Sequence, residues 1–222
     1  MIMIVSEDLR DRHDMLLLDY ASGALDEALS LIVASWLTLS PEARAIVARY
    51  ETVGAHLMCQ NCTPERMAEG SLKKVLDRLG ARQPVAVTKA ATQATGDPCV
   101  PWPLRSYMSG CPSGWQRAGE GARILDLSLV RPGRASVLAL EPGRSAPRGA
   151  GAGVEMTLVL KGAYSDGEGF YRSGQLAIHD AGFARRYTAD RAEGCLTLVI
   201  SDAVFASRLK GWRSVLRRWL GQ

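Results

Sequence analysis

Apolar residues recur at three- and four-residue steps through the first eighty positions of this chain, then give way to short apolar runs set between turn residues. The first pattern predicts helices and the second half-buried strands. Residues 14–23 read as a short helix stopped at Gly23, where a left-handed cap suits a residue without a Cβ. Leu25, Leu29, Ile32, Trp36 and Leu39 define an amphipathic helix of about four turns. Ser40-Pro41-Glu42 ends it and opens a third helix through Ile46, Val47, Tyr50, Val53 and Leu57, with Ser40 as cap and Pro41 in the first helical position. A fourth runs from Ser71, or from Thr63-Pro64-Glu65, to Leu79 and carries Leu72, Val75, Leu76 and Leu79. Four short helices predict a small bundle.

Residues 81–98 are poor in large apolar side chains and read as a linker that lets the flanking parts reorient. Beyond it, Pro101-Trp102-Pro103-Leu104 and Trp115 open the strand-rich half, their rings expected in a core or seam. Val154–Leu160 and Leu176–Ile178 are apolar runs bounded by turn residues, the mark of strands. At the far end Phe205, Leu209, Trp212, Val215, Leu216 and Trp219 return to helical spacing, interleaved with Arg208, Lys210, Arg213, Arg217 and Arg218. Such a basic amphipathic segment either docks on the protein, the reading favoured here, or lies on an anionic surface such as a membrane or nucleic acid.

The class is therefore α+β in 222 residues: a helical domain at 1–80, a linker at 81–98 and a β-barrel domain at 99–222. Charge divides along the same line. Residues 1–80 hold 8 Lys and Arg against 12 Asp and Glu, and the remainder 19 against 11, so an acidic helical half joins a basic barrel. The acidic half suits a basic partner. The longest apolar run, Leu31–Leu39, contains Ser35 and Thr38 and is far short of the ~20 residues of a spanning helix. Residues 1–5 lack the basic flank of a signal peptide, and five cysteines at 59, 62, 99, 111 and 195 form no disulfide framework, so a reducing, cytoplasmic setting is expected.

Between Gly143 and Arg185 the spacing becomes specific. Gly143, Gly149, Gly151, Glu155 and Gly162 fall at the intervals of G-x5-H-x-H-x3-E-x6-G, and Gly174, Asp180, Gly182 and Arg185 at those of G-x5-P-x-G-x2-H. This framework resembles the two cupin motifs, which implies a cupin-like antiparallel barrel. The positions that would carry three imidazoles hold Gly149, Gly151 and Arg185, leaving the Glu155 carboxylate alone. One oxygen ligand does not hold a transition metal. A charge-assisted Arg185–Glu155 pair is the expected substitute.

The segments from Leu17 to Leu25 and from Ser30 to Ser40, followed at the right distance by Met156–Tyr164, resemble the ChrR-like anti-sigma factors, which join a zinc-binding helical domain to a C-terminal cupin domain. The resemblance covers nearly the whole chain. It implies a helical domain that clamps an extracytoplasmic-function sigma factor and keeps it from RNA polymerase. It also places the zinc motif H-x3-C-x2-C on Trp36, Ser40 and Ala43, none of them a zinc ligand, and the upstream His on Asp11 or, out of register, His13. Trp36 is expected to fill the space with an apolar ring and Ser40 to cap the third helix.

The rival cluster is His56, Cys59 and Cys62, spaced H-x2-C-x2-C, either a metal site awaiting a fourth ligand such as Cys99 or His179 or a thiol pair that cycles with its disulfide. His13 is expected at the surface and His179 on a strand, with no catalytic role for either. The reading is thus a cytoplasmic, cofactor-free anti-sigma factor, not an enzyme, whose partner is an extracytoplasmic-function sigma factor, with no transmembrane span and no direct nucleic-acid contact. The alternatives are a cupin-like small-molecule sensor whose helices dimerise it and a cupin enzyme with an atypical metal set.

Overall fold

The computed structural model describes residues 7–81, 99–127, 129, 134–148, 153–180 and 185–202. Helix α1 (Glu7–Ala21) begins seven residues before the apolar pattern does, because its opening turns are almost wholly polar and leave no periodic signal. Gly23 ends it at φ +72°, a left-handed value that suits a glycine. Asp26 caps α2 (Glu27–Leu39) by accepting from the Leu29 N–H. Ser40 serves two helices: its N–H donates to Trp36 O at the end of α2, and its hydroxyl accepts from Ala43 N–H at the start of α3 (Pro41–Asn61). Each such cap contributes about 1 kcal/mol.

Helices α1, α2 and α3 pack together as expected, but α4 (Ser71–Ala81) does not join them. Leu72, Val75, Leu76 and Leu79 are all exposed. A fifth helix, α5 (Trp102–Ser109), stands where the barrel was expected to start. Two prolines at its beginning suit a helix N-terminus, where no N–H is missed, as well as they suit a strand entry. Leu104 is the side chain it buries; Trp102 is 80 % exposed and Trp115 41 %, so neither ring lies in the core. The expected linker falls mostly on residues outside those described, as does the basic C-terminal segment.

Among the described residues nine strands follow: β1 (Gln116–Gly119), β2 (Ala122–Leu127), β3 (Arg134–Leu140), β4 (Ser145–Arg148), β5 (Val154–Ser165), β6 (Phe170–Arg172), β7 (Leu176–Asp180), β8 (Arg185–Ala189) and β9 (Cys195–Asp202). Every pairing is antiparallel, in the order β1-β2-β3-β9-β5-β8-β4, with β6 and β7 also on β5. They form the nearly closed barrel that the glycine framework predicts. Gly143, Gly162 and Gly174 have φ of +69°, +70° and +83°.

Strand β5 organises both cores. Val154, Met156, Leu158 and Leu160 join Leu198, Ile200, Val137, Leu176 and Ile178 in one buried cluster that also contains Leu16, Leu17, Leu29, Ile32 and Trp36 of the helices. Helices and barrel therefore share a core, in which each fully buried Leu or Ile contributes roughly 1.5–3 kcal/mol. A bulge between Val159 and Lys161 then shifts the register against β9. The shift reverses the alternation, so Tyr164 lies with Val159, Leu138, Tyr187 and Cys195 in the second cluster, inside the barrel. There burial pushes the Cys195 thiol up to about 12.

Candidate functional site

The residues that the sequence places at a lost zinc site converge on the seam where the helices meet the barrel. Trp36, one turn before the end of α2, is 8 % exposed, and its Nε1–H donates to Gly174 O at 3.1 Å. His13 on α1 lies beside it, ring centroids 5.1 Å apart, with Nε2 3.0 Å from Leu176 O. Because a carbonyl only accepts, Nε2 carries the proton. Arg12 adds a bidentate contact to Asp180, at 3.1 and 2.8 Å. Residues 174–180 of the barrel are thus held by three consecutive contacts from α1 and α2. The third is partly exposed and contributes little by itself.

His13 is not the surface residue that the sequence suggests. Its position is legible in hindsight: it shares a helical face with Leu16, Leu17 and Tyr20, at three, four and seven residues. Burial holds its pKa below the usual value, outweighing the Leu176 carbonyl and the nearby Asp14 and Glu42 carboxylates, which favour the proton. A pKa lower in the folded than in the unfolded chain means that stability is fully present above pH ~6.5 and falls as the pH drops below it. Between pH 7.5 and 5.5 the melting temperature of wild type is expected to fall more steeply than that of His13→Gln, as differential scanning calorimetry would record.

Of the other two zinc-motif positions, the Ser40 hydroxyl is engaged as the α3 cap and Ala43 is a methyl group, 1 % exposed. Trp36 offers only a donor. This donor set does not fit zinc. Around these residues α1, α2, α3, β6 and β7 form the walls of a cavity of about 510 Å³ that is open to solvent on one side, lined among others by Arg10, His13, Asp14, Trp36, Glu42 and Tyr171.

In the barrel, Gly149 and Gly151 lie outside the described residues, as does the Arg185 side chain, so the expected Arg185–Glu155 pair falls there too. Glu155 accepts from Tyr187 Oη at 2.7 Å, and Thr157 Oγ1 is 3.0 Å from the same phenol. Glu155 also faces His179 across the β5–β7 register. The His179 ring, 5 % exposed, brings Nε2 to 2.9 Å from Asp166 Oδ2, at ion-pair distance although neither atom completes a hydrogen bond of good geometry. Burial works to raise the Asp166 pKa, but His179 and the N–H groups of Glu168 and Gly169 hold it below the usual carboxylate range. Tyr164 stacks between Tyr171 and Tyr187, and burial pushes its phenol far above the usual range. No motif announces this network, since its members lie on β5, β6, β7 and β8 and in the turn after β5.

His56, Cys59 and Cys62 are all exposed at the end of α3 or just beyond it, and His56 Nε2 lies 2.9 Å from Gln60 Nε2. Among the described residues no three His, Cys, Asp or Glu side chains are grouped to hold a metal, and no single helix is long and apolar enough to cross a membrane.

No family model matches the sequence. The anti-sigma-E factor ChrR of Cereibacter sphaeroides is 33 % identical over 192 residues, 86 % of this chain and 88 % of that protein. In the crystal structure of Rhodobacter sphaeroides SigE in complex with the anti-sigma ChrR, one chain superimposes with a TM-score of 0.69 at 32 % identity, covering 85 % of this chain and 96 % of that one. With sequence and fold matched over most of its length, this chain belongs to the ChrR anti-sigma factor family.

Proposed function

We propose that this chain is an anti-sigma factor that binds an extracytoplasmic-function sigma factor through its helices and holds it away from RNA polymerase. The observation that carries this is a set of large apolar side chains left exposed on α3, on α4 and between them. On α4, Leu72, Val75, Leu76 and Leu79 form one stripe at three- and four-residue steps, each at least 50 % exposed. Val53, Leu57 and Met58 on α3, and Met67 between the helices, are exposed as well. A free chain hides such residues unless a partner covers them. Glu51, Glu65, Glu69 and Asp77 stand among them beside Arg66, Lys73, Lys74 and Arg78, so apolar contact rather than net charge marks this face.

The ChrR relative is known in a complex with a sigma factor, and this chain retains nearly the full length of that protein. We infer the same partner class here, a non-enzymatic role and a cytoplasmic location. Binding without zinc or another metal completes the proposal, with Trp36, Ser40 and Ala43 packing and capping where ligands would be and Glu155 engaged by Tyr187. Protein purified without chelator is expected to carry well under one equivalent of zinc, iron, manganese or nickel by mass spectrometry, and EDTA to leave its melting temperature unchanged. Stoichiometric metal lost in Cys59→Ser/Cys62→Ser would move the site to the end of α3; metal retained in that variant would contradict the metal-free account.

Co-expression of the full chain with the extracytoplasmic-function sigma factors of its genome tests the main claim, a 1:1 complex being expected. A self-associated dimer that captures none of them would favour the reading in which the helices pair two copies.

A further inference from the structure

The cavity at the seam has an apolar floor and an uneven rim. Leu17, Ala43 and Leu176 are buried beneath it, and the rings of Trp36 and Tyr171 line its walls. Asp14 on α1 and Glu42 in the first turn of α3 line it too. Both carboxylates line the same pocket as the His13 ring, yet neither makes a hydrogen bond or ion pair among the described residues. Arg10, one turn before Asp14, is the one Lys or Arg among the lining residues. The lining thus holds two carboxylates against one guanidinium, beside an imidazole and two aromatic rings.

We propose that this cavity is a binding site for a small organic ammonium ion with a flat apolar body, its cation held by Asp14 and Glu42 and its body laid against Trp36 and Tyr171. The volume, about 510 Å³, lies in the range of small-molecule sites. Aromatic faces attract a cation electrostatically, and the paired carboxylates supply the charge-assisted acceptors it needs. The N-terminus of α3 opens on the same space and by its dipole favours an anion. There, however, the Ala43 N–H is already taken by Ser40, and Glu42 occupies the first turn. Net charge therefore selects the cation. A ligand so placed touches α1, α2 and α3 on one side and β6 and β7 on the other, and stabilises the contact between helices and barrel. The site stands whether or not the helices engage a sigma factor.

Tryptamine and indole-3-propionate share an indole body and differ in the sign of their charge. At about 1 mM, tryptamine is expected to raise the melting temperature by about 2 °C or more and indole-3-propionate by much less, since a ligand that binds only the folded chain stabilises it by RT ln(1 + [L]/Kd). Asp14→Asn/Glu42→Gln should abolish the tryptamine shift, and Arg10→Gln, which removes the competing positive charge, should enlarge it. Calorimetric titration of wild type decides the matter without any variant: Kd for tryptamine is expected at least tenfold below that for indole-3-propionate. Equal responses to the two compounds, no binding of tryptamine, or an undiminished shift in the folded double variant would overturn the proposal.

Discussion

Leu76→Asp/Leu79→Asp is expected to weaken sigma-factor binding by about 100-fold or more while leaving the melting temperature of the free protein nearly unchanged. The two residues are 56 % and 60 % exposed, so the free chain loses no core when they change. In the complex they would be central apolar anchors, and an Asp at such a position adds the cost of burying an unpaired charge to the loss of apolar contact. The combination of measurements is what distinguishes a docking face from a packing face. If calorimetry showed undiminished affinity in the double variant, the partner would have to dock elsewhere.

Gly162→Ala is expected to lower stability by roughly 3 kcal/mol or more, a fall in melting temperature of about 6–12 °C for a chain of this size. Gly162 has φ +70°, and a Cβ built there would collide with the Gly194 carbonyl. That oxygen belongs to the backbone on the neighbouring turn and accepts from Ala163 N–H, so it cannot swing away as a side chain would. Relief requires β5 and β9 to separate beside the bulge. Gly143→Ala is the control: φ is nearly the same, +69°, but the nearest atom is the flexible Arg191 side chain at 3.7 Å. Its cost should be that of the backbone conformation alone, roughly 1–2 kcal/mol. Chemical denaturation of both variants separates collision from conformation.

What was legible in the sequence was local or spaced at fixed intervals. Ser40-Pro41 marks the α2–α3 junction because capping involves residues three apart, and the spacing of the glycines at 143, 162 and 174 points to a barrel in which all three adopt positive φ. The exposed state of α4 was not legible. Its stripe is the same whether it packs on α1–α3 or waits for a partner, since periodicity reports a face and not what covers it. Trp102 and Trp115 misled for a related reason: a large ring signals burial on average, yet α5 buries Leu104 and turns Trp102 outward. His13 and Leu176 are 163 residues apart, and His179 meets Asp166 only because β5 and β7 are paired. Such contacts are properties of the folded barrel, and no spacing rule encodes them.

By covering a sigma factor, this chain silences it. Run-off transcription in vitro tests this most directly, using RNA polymerase core, the sigma factor that co-purifies with the full chain, and a promoter that this sigma factor serves. Addition of the chain at one equivalent per sigma factor is predicted to suppress the transcript, EDTA-treated protein to suppress it equally well, and Leu76→Asp/Leu79→Asp to need a far higher concentration. Full transcription in the presence of a folded, saturating excess of wild-type chain would contradict it.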